Sequence, residues 1–256
     1  MRIATWNVNS IKKRLPHVLA FLAEVKPDVL LLQETKCVDA DFPKLAIEGA
    51  GYHSIEHGQK AYNGVALLAR AKIEDPMIGL PGGDEDAQTR YVEATVEGVR
   101  VACLYLPNGN PVGTEKFTYK LAWMERLAKR ARELLAQEAP TVLAGDYNVA
   151  PTDADVYAPE KYRDEALCRP ETRAAWRSLL HLGFTDALRA LHPDETIYTY
   201  WDYMQNRWPQ NHGWRIDHLL LSPQAADRLV AAGVDKGPRA KQDPSDHTPA
   251  WCELAG

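Results

Sequence analysis

An acid and an amide stand two residues apart at the end of an apolar run. Residues 141–144, Thr-Val-Leu-Ala, have the character of a strand buried on both faces. Gly145 then permits a tight turn or the close approach of another group, and Asp146 and Asn148 share one side if the chain stays extended. Such side chains could bind or activate a ligand at the rim of a sheet, although Asp and Asn also close turns routinely.

The same pattern, an apolar strand that ends in a polar side chain, recurs along the chain. The polar residues are Asn7, Glu34, Tyr105, Asp146, Asn148, Asp217 and the adjacent pair Asp246 and His247. Because strand ends of packed sheets converge on one rim, we expect these groups to form one site. Oxygens of Glu34, Asp246 and Asn7 suit Mg²⁺, whereas no His/Cys cluster has the spacing of a zinc site. Glu34 could instead pair with Lys36, and Tyr105 could be a core tyrosine.

His247 directly follows an acid, but adjacent side chains of an extended segment point apart. Its orienting partner must therefore be remote, and Asp217 is the candidate. Most of the other seven histidines are interpreted as surface or loop residues. The chemistry that fits is phosphodiester hydrolysis, in which Asp146 orients or deprotonates water while a metal and His247 offset the developing charge. A serine hydrolase is disfavoured because no Gly-x-Ser-x-Gly motif occurs, and no phosphate-binding P-loop is present.

Alternating apolar and amphipathic segments must position these groups. Strands are predicted at 2–8, 29–32, 65–69, 91–96, 99–106, 141–144, 216–221 and 250–254. Helices are predicted from Ile11, with Ser10 as a possible cap, over Lys116–Gln137, and over 176–182 up to Gly183. On the second helix Lys116 and Lys120 are assigned to outer faces, and Pro81–Asp86 is predicted to be a loop. This alternation predicts an α/β protein with mixed sheets and one domain spanning 1–256.

The segment 196–217 is rich in rings. Seven aromatic or histidine side chains occur there with few aliphatic ones. A pure core would favour Val, Leu and Ile, so the composition indicates a surface that receives a planar or sugar-like group.

Composition limits the class of protein. The chain has 256 residues, is 45% hydrophobic and carries a net charge of −5, which argues against a simple basic nucleic-acid binder but not against an enzyme with an acidic, cation-filled centre. The four cysteines form no CxxC pair and are interpreted as reduced and intracellular. We expect no membrane span and no signal peptide.

Taken together, six motifs make the chain resemble the exonuclease III family of DNA-repair nucleases, bacterial relatives of the major human abasic-site endonuclease. They are Ile-Ala-Thr-Trp-Asn-Val-Asn, Leu-Leu-Gln-Glu-Thr-Lys, Tyr-Leu-Pro-Asn-Gly, Leu-Ala-Gly-Asp-Tyr-Asn-Val-Ala-Pro, Gly-Trp-Arg-Ile-Asp and Ser-Asp-His, in family order along nearly the whole chain. The resemblance implies a four-layer α/β sandwich, similar to DNase I, with two mixed, mostly antiparallel sheets packed face to face and helices outside.

The resemblance also implies an activity. A monomeric, cytoplasmic, nucleoid-associated enzyme that depends on Mg²⁺ or Mn²⁺ would cleave duplex DNA 5′ to abasic sites, remove 3′-blocking groups and phosphates, and digest duplex DNA from 3′ ends. By motif, Glu34 binds the metal with Asn7 and Asp246 near it, and Asp146 and Asn148 are further candidate ligands. Asp146 activates water, Asn148 and Tyr105 contact the phosphate, and His247, held by Asp217, faces it. The pocket for the extruded abasic sugar comes from Tyr200, Trp214 and Ile216, with Asn108 and Lys116 also at the DNA.

Two departures from the family pattern stand out in the aromatic segment. The motif at 200–203 is Tyr-Trp-Asp-Tyr, where the well-known bacterial enzyme has Trp-Phe-Asp-Tyr, and residues 203–214 are distinctive. Inositol-phosphate phosphatases and sphingomyelinases share the same Glu, the Asp-x-Asn motif and the Ser-Asp-His motif. The motifs Gln-Glu-Thr-Lys and Gly-Trp-Arg-Ile-Asp instead indicate the abasic-site branch. A non-catalytic module on the same fold would be expected to lack one of the acids.

Overall fold

Two six-stranded sheets pack face to face, with helices against their outer surfaces. This arrangement, seen in a computed structural model, confirms the predicted four-layer α/β sandwich. The structure describes residues 1–83 and 86–256. Asp84 and Glu85, in the middle of the predicted loop Pro81–Asp86, lie outside the described residues.

The strands fall close to their predicted positions. In chain order they are β1 (Arg2–Asn7), β2 (Val29–Gln33), β3 (His53–His57), β4 (Val65–Ala69), β5 (Ile73–Ile78), β6 (Tyr91–Val96), β7 (Val99–Tyr105), β8 (Thr141–Asp146), β9 (Thr185–Asp186), β10 (Asp217–Leu221), β11 (Leu229–Val234) and β12 (Ala250–Leu254). The helices are α1 (Ile11–Glu24), α2 (Lys44–Gly49), α3 (Glu115–Leu135), α4 (Pro170–His181), α5 (Ala187–Leu191) and α6 (Pro223–Ala226). In the described part of the chain no helix has the length and apolarity that a membrane crossing requires.

Each sheet has one parallel pair of strands at its centre. The orders are β11-β12-β1-β2-β4-β3 and β5-β6-β7-β8-β10-β9. β1 runs parallel to β2 and β7 runs parallel to β8, while the remaining neighbours are antiparallel. A parallel pair needs a crossover, which α1 and α3 supply. The carboxyl ends of each central pair therefore lie side by side.

Apolar side chains from both sheets form the core between them. Ile3, Leu31, Val101, Val142 and Leu219 are fully buried there. Alternate residues of the same strands face outward, where α3 and α4 cover the second sheet and α1 covers the first. Because these central strands are buried on both faces, they are apolar without alternation, as the sequence indicated.

Several local predictions need correction. Ser10 occupies the position before α1, but its side chain makes no capping hydrogen bond, and its φ is 90°. α4 begins at Pro170, before the predicted 176, because proline suits the first helical turn. The edge strands β5 and β11 were not predicted. Their residues are largely exposed or half-buried, so they lack the long apolar run that marks a central strand.

Candidate active site

The second sheet aligns three of the predicted site residues in one row. Tyr105 is the register partner of Asp146 across the parallel β7–β8 pair. Asp217 is the partner of Asp146 across the antiparallel β8–β10 pair. Three strand ends thus carry a phenol and two carboxylates to the same edge, which is where sites form in packed sheets.

The first sheet adds an amide and a third carboxylate. Asn7 ends β1, and Glu34 directly follows β2. The Asn7 side-chain nitrogen donates to Glu34 Oε1 at 2.8 Å and to Asp146 Oδ2 at 2.9 Å. The carboxyl edges of both sheets therefore meet at Asn7, and the predicted convergence of strand ends on one rim is what the structure shows.

Asn7 is oriented differently from the expectation for a metal ligand. Its amide nitrogen faces the two carboxylates, whereas its Oδ1 accepts a hydrogen bond from the backbone of Asn9 at 3.0 Å. Two carboxylates that flank one side chain are satisfied by a hydrogen-bond donor and not by another oxygen. Asn7 therefore organises the acids as a donor and does not present an oxygen to them.

His247 is buried beside two carboxylates. Its Nδ1 lies 2.8 Å from Asp217 Oδ2, which is the predicted remote partner, and its Nε2 lies 3.8 Å from Asp146 Oδ2. Burial lowers the pKa of His247, but Asp217 and Asp146 outweigh burial and raise that pKa to about 10. His247 is therefore an imidazolium at neutral pH, with both ring nitrogens able to donate.

The pKa of Asp146 is also raised, but here burial is the dominant cause. Burial raises the pKa of Asp146 to about 7, although His247 and the Asn7 donor counteract part of that rise. A carboxyl group whose pKa lies near neutrality is suited to accept a proton from water. The pairing of a raised-pKa carboxyl with an imidazolium gives the site an acid and a base 3.8 Å apart.

Asn148 does not continue the strand. It has a left-handed φ of 48°, and its backbone nitrogen donates to Asp146 Oδ1 at 2.9 Å. The alternative of a turn closed by Asp is therefore correct for the backbone, yet the two side chains still line the same cavity. Asn148 Oδ1 accepts from Asn108 at 3.1 Å, and its Nδ2 donates to Leu106 O at 2.9 Å.

Gly145 is required by the packing of β8 against β7. A Cβ at this position would lie 1.8 Å from the backbone oxygen of Leu104, far inside van der Waals contact. The close approach that the sequence allowed therefore involves the neighbouring strand, and it brings Asp146 alongside Tyr105.

Four residues at or next to this rim have a left-handed backbone conformation. Glu34, Lys36 and Asn148 have φ values of 52°, 54° and 48°, and Asn9 has 45°. Left-handed conformations of residues other than glycine cost roughly 1 kcal/mol or more each and persist where surrounding contacts enforce them. For Glu34 those contacts include Lys36 at 2.7 Å and Asn7. Burial raises the pKa of Glu34, but these two partners outweigh it and hold the pKa below its usual value.

The converging groups line a cavity of about 340 Å³. Its walls include Glu34, Tyr105, Asn108, Asp146, Asn148, Tyr200, Trp214, Ile216, Asp246 and His247. The volume lies within the range of small-ligand pockets. Of the predicted site residues, Asp217 and Asn7 lie behind the wall, in contact with His247 and the acids. Lys116 does not line the cavity and is exposed in the first turn of α3.

The cavity carries more negative than positive side chains. Five of its lining residues are acids (Glu34, Asp146, Glu165, Asp202 and Asp246), against Arg207 and His247 as cations. An anionic substrate would be repelled from such a cavity unless a cation entered with it. The oxygen-rich donor set fits a hard divalent cation, as predicted from Glu34 and Asp246.

Asp146, Asp217 and His247 also offer ligand atoms within 4.8 Å of one another. His247 Nδ1 is already hydrogen-bonded to Asp217, and an imidazolium has no free lone pair for a metal. The trio is therefore an acid–base cluster in this structure, and Glu34 and Asp246 are further carboxylates that line the same cavity. One oxygen of Asp217, Oδ1, is buried with no hydrogen-bond partner among the residues described.

Lys120 lies next to the site in a buried position, and the prediction of an outer helix face for it was wrong. It was assigned to an outer face of the helix, yet it is fully buried, and its Nζ donates to Pro107 O at 2.9 Å and to Asn148 O at 2.7 Å. Burial lowers the pKa of Lys120 to about 7. The space for its stem depends on Gly109, where a Cβ would lie 2.5 Å from the lysine side chain. Lys120 thus ties together the two loops that carry Asn108 and Asn148.

Lys120→Met is expected to lower kcat by about 10–100-fold, since loosening the Asn148 loop displaces a reacting group. Two buried carbonyls would also lose their donor, which costs about 1–3 kcal/mol of unfolding free energy. Steady-state kinetics and urea unfolding measure the two effects. Lys129→Met is the matched control, exposed on the same helix and away from the cavity, and should change neither kcat nor stability. A wild-type kcat in Lys120→Met would contradict the anchoring role.

Two further residues behind the site were not anticipated. Arg90 lies 4.6 Å over the ring of Tyr105 and donates to its backbone oxygen at 3.1 Å, so it fixes the phenol. His218 is fully buried rather than on the surface, between Arg215 at 3.0 Å and Val149 O at 2.9 Å. Its position next to Asp217 in an apolar strand was the available signal, because a polar residue inside such a run needs buried partners.

The fold and this cavity together define a class. An acidic cleft with a near-neutral carboxyl beside a buried Asp–His pair can activate water and stabilise the charge that develops on an ester of phosphoric acid. The class of protein is therefore a phosphoesterase built on a two-sheet sandwich.

Comparison with known proteins narrows the class. The profile of the Endonuclease/Exonuclease/phosphatase family matches residues 4–247. Exodeoxyribonuclease III of Haemophilus influenzae is 35% identical, with 99% of this chain and all of that protein covered. A solved 3′-phosphatase from Neisseria, bound to a product DNA hairpin, is 42% identical with a TM-score of 0.98 and full coverage of both chains. An AP endonuclease from Archaeoglobus fulgidus is 38% identical with a TM-score of 0.96 and 99% of each chain covered.

The chain belongs to the Endonuclease/Exonuclease/phosphatase family, and within it to the exonuclease III group of DNA-repair nucleases. The resemblance inferred from the six motifs is thereby confirmed.

Proposed function

We propose that this protein is a divalent-metal-dependent DNA phosphodiesterase of base excision repair. It would cleave the backbone 5′ to abasic sites, remove 3′-blocking groups and phosphates, and degrade duplex DNA from 3′ ends. The observation that carries this proposal is the position of Asp146, held between Asn7 of the first sheet and a pair formed by Asp217 of the second sheet and His247, which precedes β12. Relatives named as exodeoxyribonuclease III and AP endonuclease support the substrate assignment.

Residue roles follow from the protonation states. Asp146 takes a proton from the attacking water, for which a pKa of about 7 suits it. His247, held as an imidazolium by Asp217, donates a hydrogen bond from Nε2 to a phosphate oxygen. Burial, then Glu34 and Asp146, raises the pKa of Tyr105 well above its usual value, so its phenol stays protonated as a donor. Asn148 places its amide on the same wall, as the phosphate-contacting residue.

Mg²⁺ or Mn²⁺ is the proposed cofactor. Glu34 and Asp246 would hold it, with Asp146 and Asn148 nearby. When bound, such an ion neutralises phosphate charge and acts as a Lewis acid. Without it, the five carboxylates of the cavity would oppose the approach of a DNA backbone.

The aromatic segment supplies the proposed sugar pocket. Tyr200 pairs with Trp214 through the backbone, and its ring lies 4.9 Å from the ring of His247. Trp214 and Ile216 line the same cavity. A sugar held against these side chains would place its phosphate at His247. An abasic nucleotide is extruded from the stack at little cost, since it has no base to unpair.

Cleavage of a duplex that carries one abasic site, with and without Mg²⁺, tests the proposal, run beside an undamaged end-labelled duplex and a 3′-phosphate-terminated one. We expect Mg²⁺-dependent incision at the abasic site and release of the 3′-phosphate. If neither the abasic duplex nor the 3′-phosphate-terminated duplex were hydrolysed in Mg²⁺ or Mn²⁺, the proposed function would be overturned.

Tyr200→Ala should lower abasic-site cleavage about tenfold or more and spare 3′-phosphatase activity. In abasic-site cleavage the abasic sugar follows the cleaved phosphate and occupies the pocket, whereas a 3′-terminal phosphate has no sugar after it. The expected loss corresponds to about 1–3 kcal/mol for an aromatic contact with a nucleotide. Parallel kcat/KM measurements on both substrates check it. Equal losses in the two assays would remove the pocket assignment.

The assembly and compartment are also proposals. We infer that residues 1–256 form one domain, since the core between the sheets draws on Ile3 near one end and Leu254 near the other. We further propose a monomer that acts in the cytoplasm on nucleoid DNA, and gel filtration with light scattering tests the first of these points.

A further inference from the structure

Arg207 is the cation of the distinctive segment 203–214 that lines the cavity. Its Nη1 donates to the hydroxyls of Tyr157 and Tyr162, the latter at 2.9 Å, and its Nη2 donates to Gln205 at 2.9 Å. The guanidinium lies 5.0 Å from the ring centroid of Tyr157. A long side chain held by two phenols and an amide is preorganised, so little rotamer entropy remains to be lost when it binds a ligand.

The charge of Arg207 is not neutralised by a partner. Some half-buried guanidiniums in this protein pair directly with carboxylates, as Arg130 does with Glu93 and Arg173 with Asp153. Arg207 makes no ion pair with a carboxylate of the described residues, although Asp202 and Glu165 line the same cavity. Its Nε is buried and has no hydrogen-bond partner in that part of the chain. The guanidinium thus retains charge and donor capacity for an anion.

A series of ring contacts locates Arg207 relative to the catalytic cluster. The His247 ring contacts Tyr200 at 4.9 Å, Tyr200 pairs with Trp214, and Trp214 contacts Tyr162 at 4.9 Å. Arg207 follows at the far end, bound to Tyr162. No hydrogen bond or ion pair joins Arg207 to His247 or Asp146 within the described ranges. The wall of the sugar pocket therefore stands between Arg207 and the place of the cleaved phosphate.

We propose that Arg207 is a specificity-determining residue that binds the phosphate on the 3′ side of the sugar held in the pocket. This inference rests on the proposed function, in which the phosphate on the 5′ side of that sugar lies at His247. The bidentate fork of a guanidinium matches the geometry of a phosphate. Every internal abasic site has a phosphate at this position, whereas a 3′-phosphate-terminated duplex has none. Arg207 thus favours internal abasic sites over 3′ ends.

Equilibrium binding in Mg²⁺ tests the proposal, with the reference protein and every variant made in the Asp146→Asn background, where we expect cleavage to be suppressed. The probes are a duplex with a tetrahydrofuran abasic analogue, the same duplex with an uncharged methylphosphonate 3′ to the analogue, and a 3′-phosphate-terminated duplex. Arg207→Ala should weaken binding of the first probe about tenfold or more. It should leave the other two nearly unchanged, and it should reduce the slope of log affinity against log salt by about one.

Two controls separate this role from a structural one. Arg132→Ala removes an exposed guanidinium from the last turn of α3 and should bind all three probes like the reference protein. Arg207→Lys keeps the charge and should restore the salt slope, with affinity between those of the reference protein and Arg207→Ala. A merely structural defect would weaken all three probes alike and would not be rescued by lysine.

The outcomes also distinguish this inference from the function on which it rests. If the wild type prefers the abasic duplex and cleaves it in Mg²⁺, but Arg207→Ala binds it equally well, the inference alone is overturned. The inference alone is also overturned if the methylphosphonate still weakens binding of the abasic duplex in Arg207→Ala. If the wild type neither prefers nor cleaves the abasic duplex, the abasic-site activity within the proposed function and this inference are both overturned.

Discussion

Asp146→Asn is expected to lower turnover of abasic and 3′-phosphate substrates by about 10³–10⁴-fold, because the amide cannot accept a proton from water. The substitution keeps the shape of the side chain, but both Asp146 oxygens accept hydrogen bonds, from Asn7 and from the backbone of Asn148, so the amide keeps only one of these two contacts. DNA binding should survive or tighten, since one of five cavity carboxylates loses its charge. Single-turnover kinetics and binding titrations, both in Mg²⁺, measure the two effects separately.

Asp202→Asn is the matched control for this variant. Asp202 lines the same cavity, but its Oδ1 accepts a hydrogen bond from the backbone of Met204 at 2.6 Å and does not contact His247. The charge of the cavity therefore changes equally while the proposed base remains. Turnover in Asp202→Asn should stay within a few-fold of the wild type. Comparable turnover in Asp146→Asn would remove Asp146 from the role of base.

Much of the site could be predicted from the sequence because its polar residues lie at the ends of apolar strands, which converge on one edge of the sheets. Glu34, Asp146 and Asp217 each follow or begin a short apolar strand, and the register of the sheets then dictates that Asp146 lies beside Asp217. The remote partner of His247 was predictable for the same reason, since adjacent side chains cannot face each other in an extended segment. Apolar runs also located the central strands, because burial on both faces removes alternation.

What the sequence did not show depends on contacts between distant segments. Lys120 has the helical position of a surface lysine, and only the loops at Pro107 and Asn148 make it a buried donor. The amide of Asn7 turns its nitrogen inward because two carboxylates from different sheets meet there. Edge strands such as β5 are half-exposed, so their pattern does not differ from that of a loop. Each error reflects tertiary context that overrides a local preference.

His247→Ala is expected to lower turnover by about 10²–10³-fold, the effect of removing one preorganised donor from a charged transition state. It should also destabilise the fold by roughly 3–5 kcal/mol, because Asp217 would be left as a fully buried carboxylate without its cation. The stability difference from the wild type should depend on pH. His247 has a folded pKa of about 10 against 6.5 for the free imidazole, so its contribution is complete below pH 6.5 and is lost as pH rises towards 10.

The double variant His247→Ala with Asp217→Asn separates catalysis from folding. Replacing Asp217 removes the uncompensated buried charge, so the double variant should recover much of the unfolding free energy that His247→Ala loses, while its turnover stays low. Denaturant unfolding at pH 6 and pH 9 and kcat on one abasic substrate are sufficient measurements. If turnover returned together with stability, His247 would be a structural partner of Asp217 rather than a donor to the phosphate. Because the imidazolium is the group that faces Asp146 at 3.8 Å, we expect the two quantities to separate.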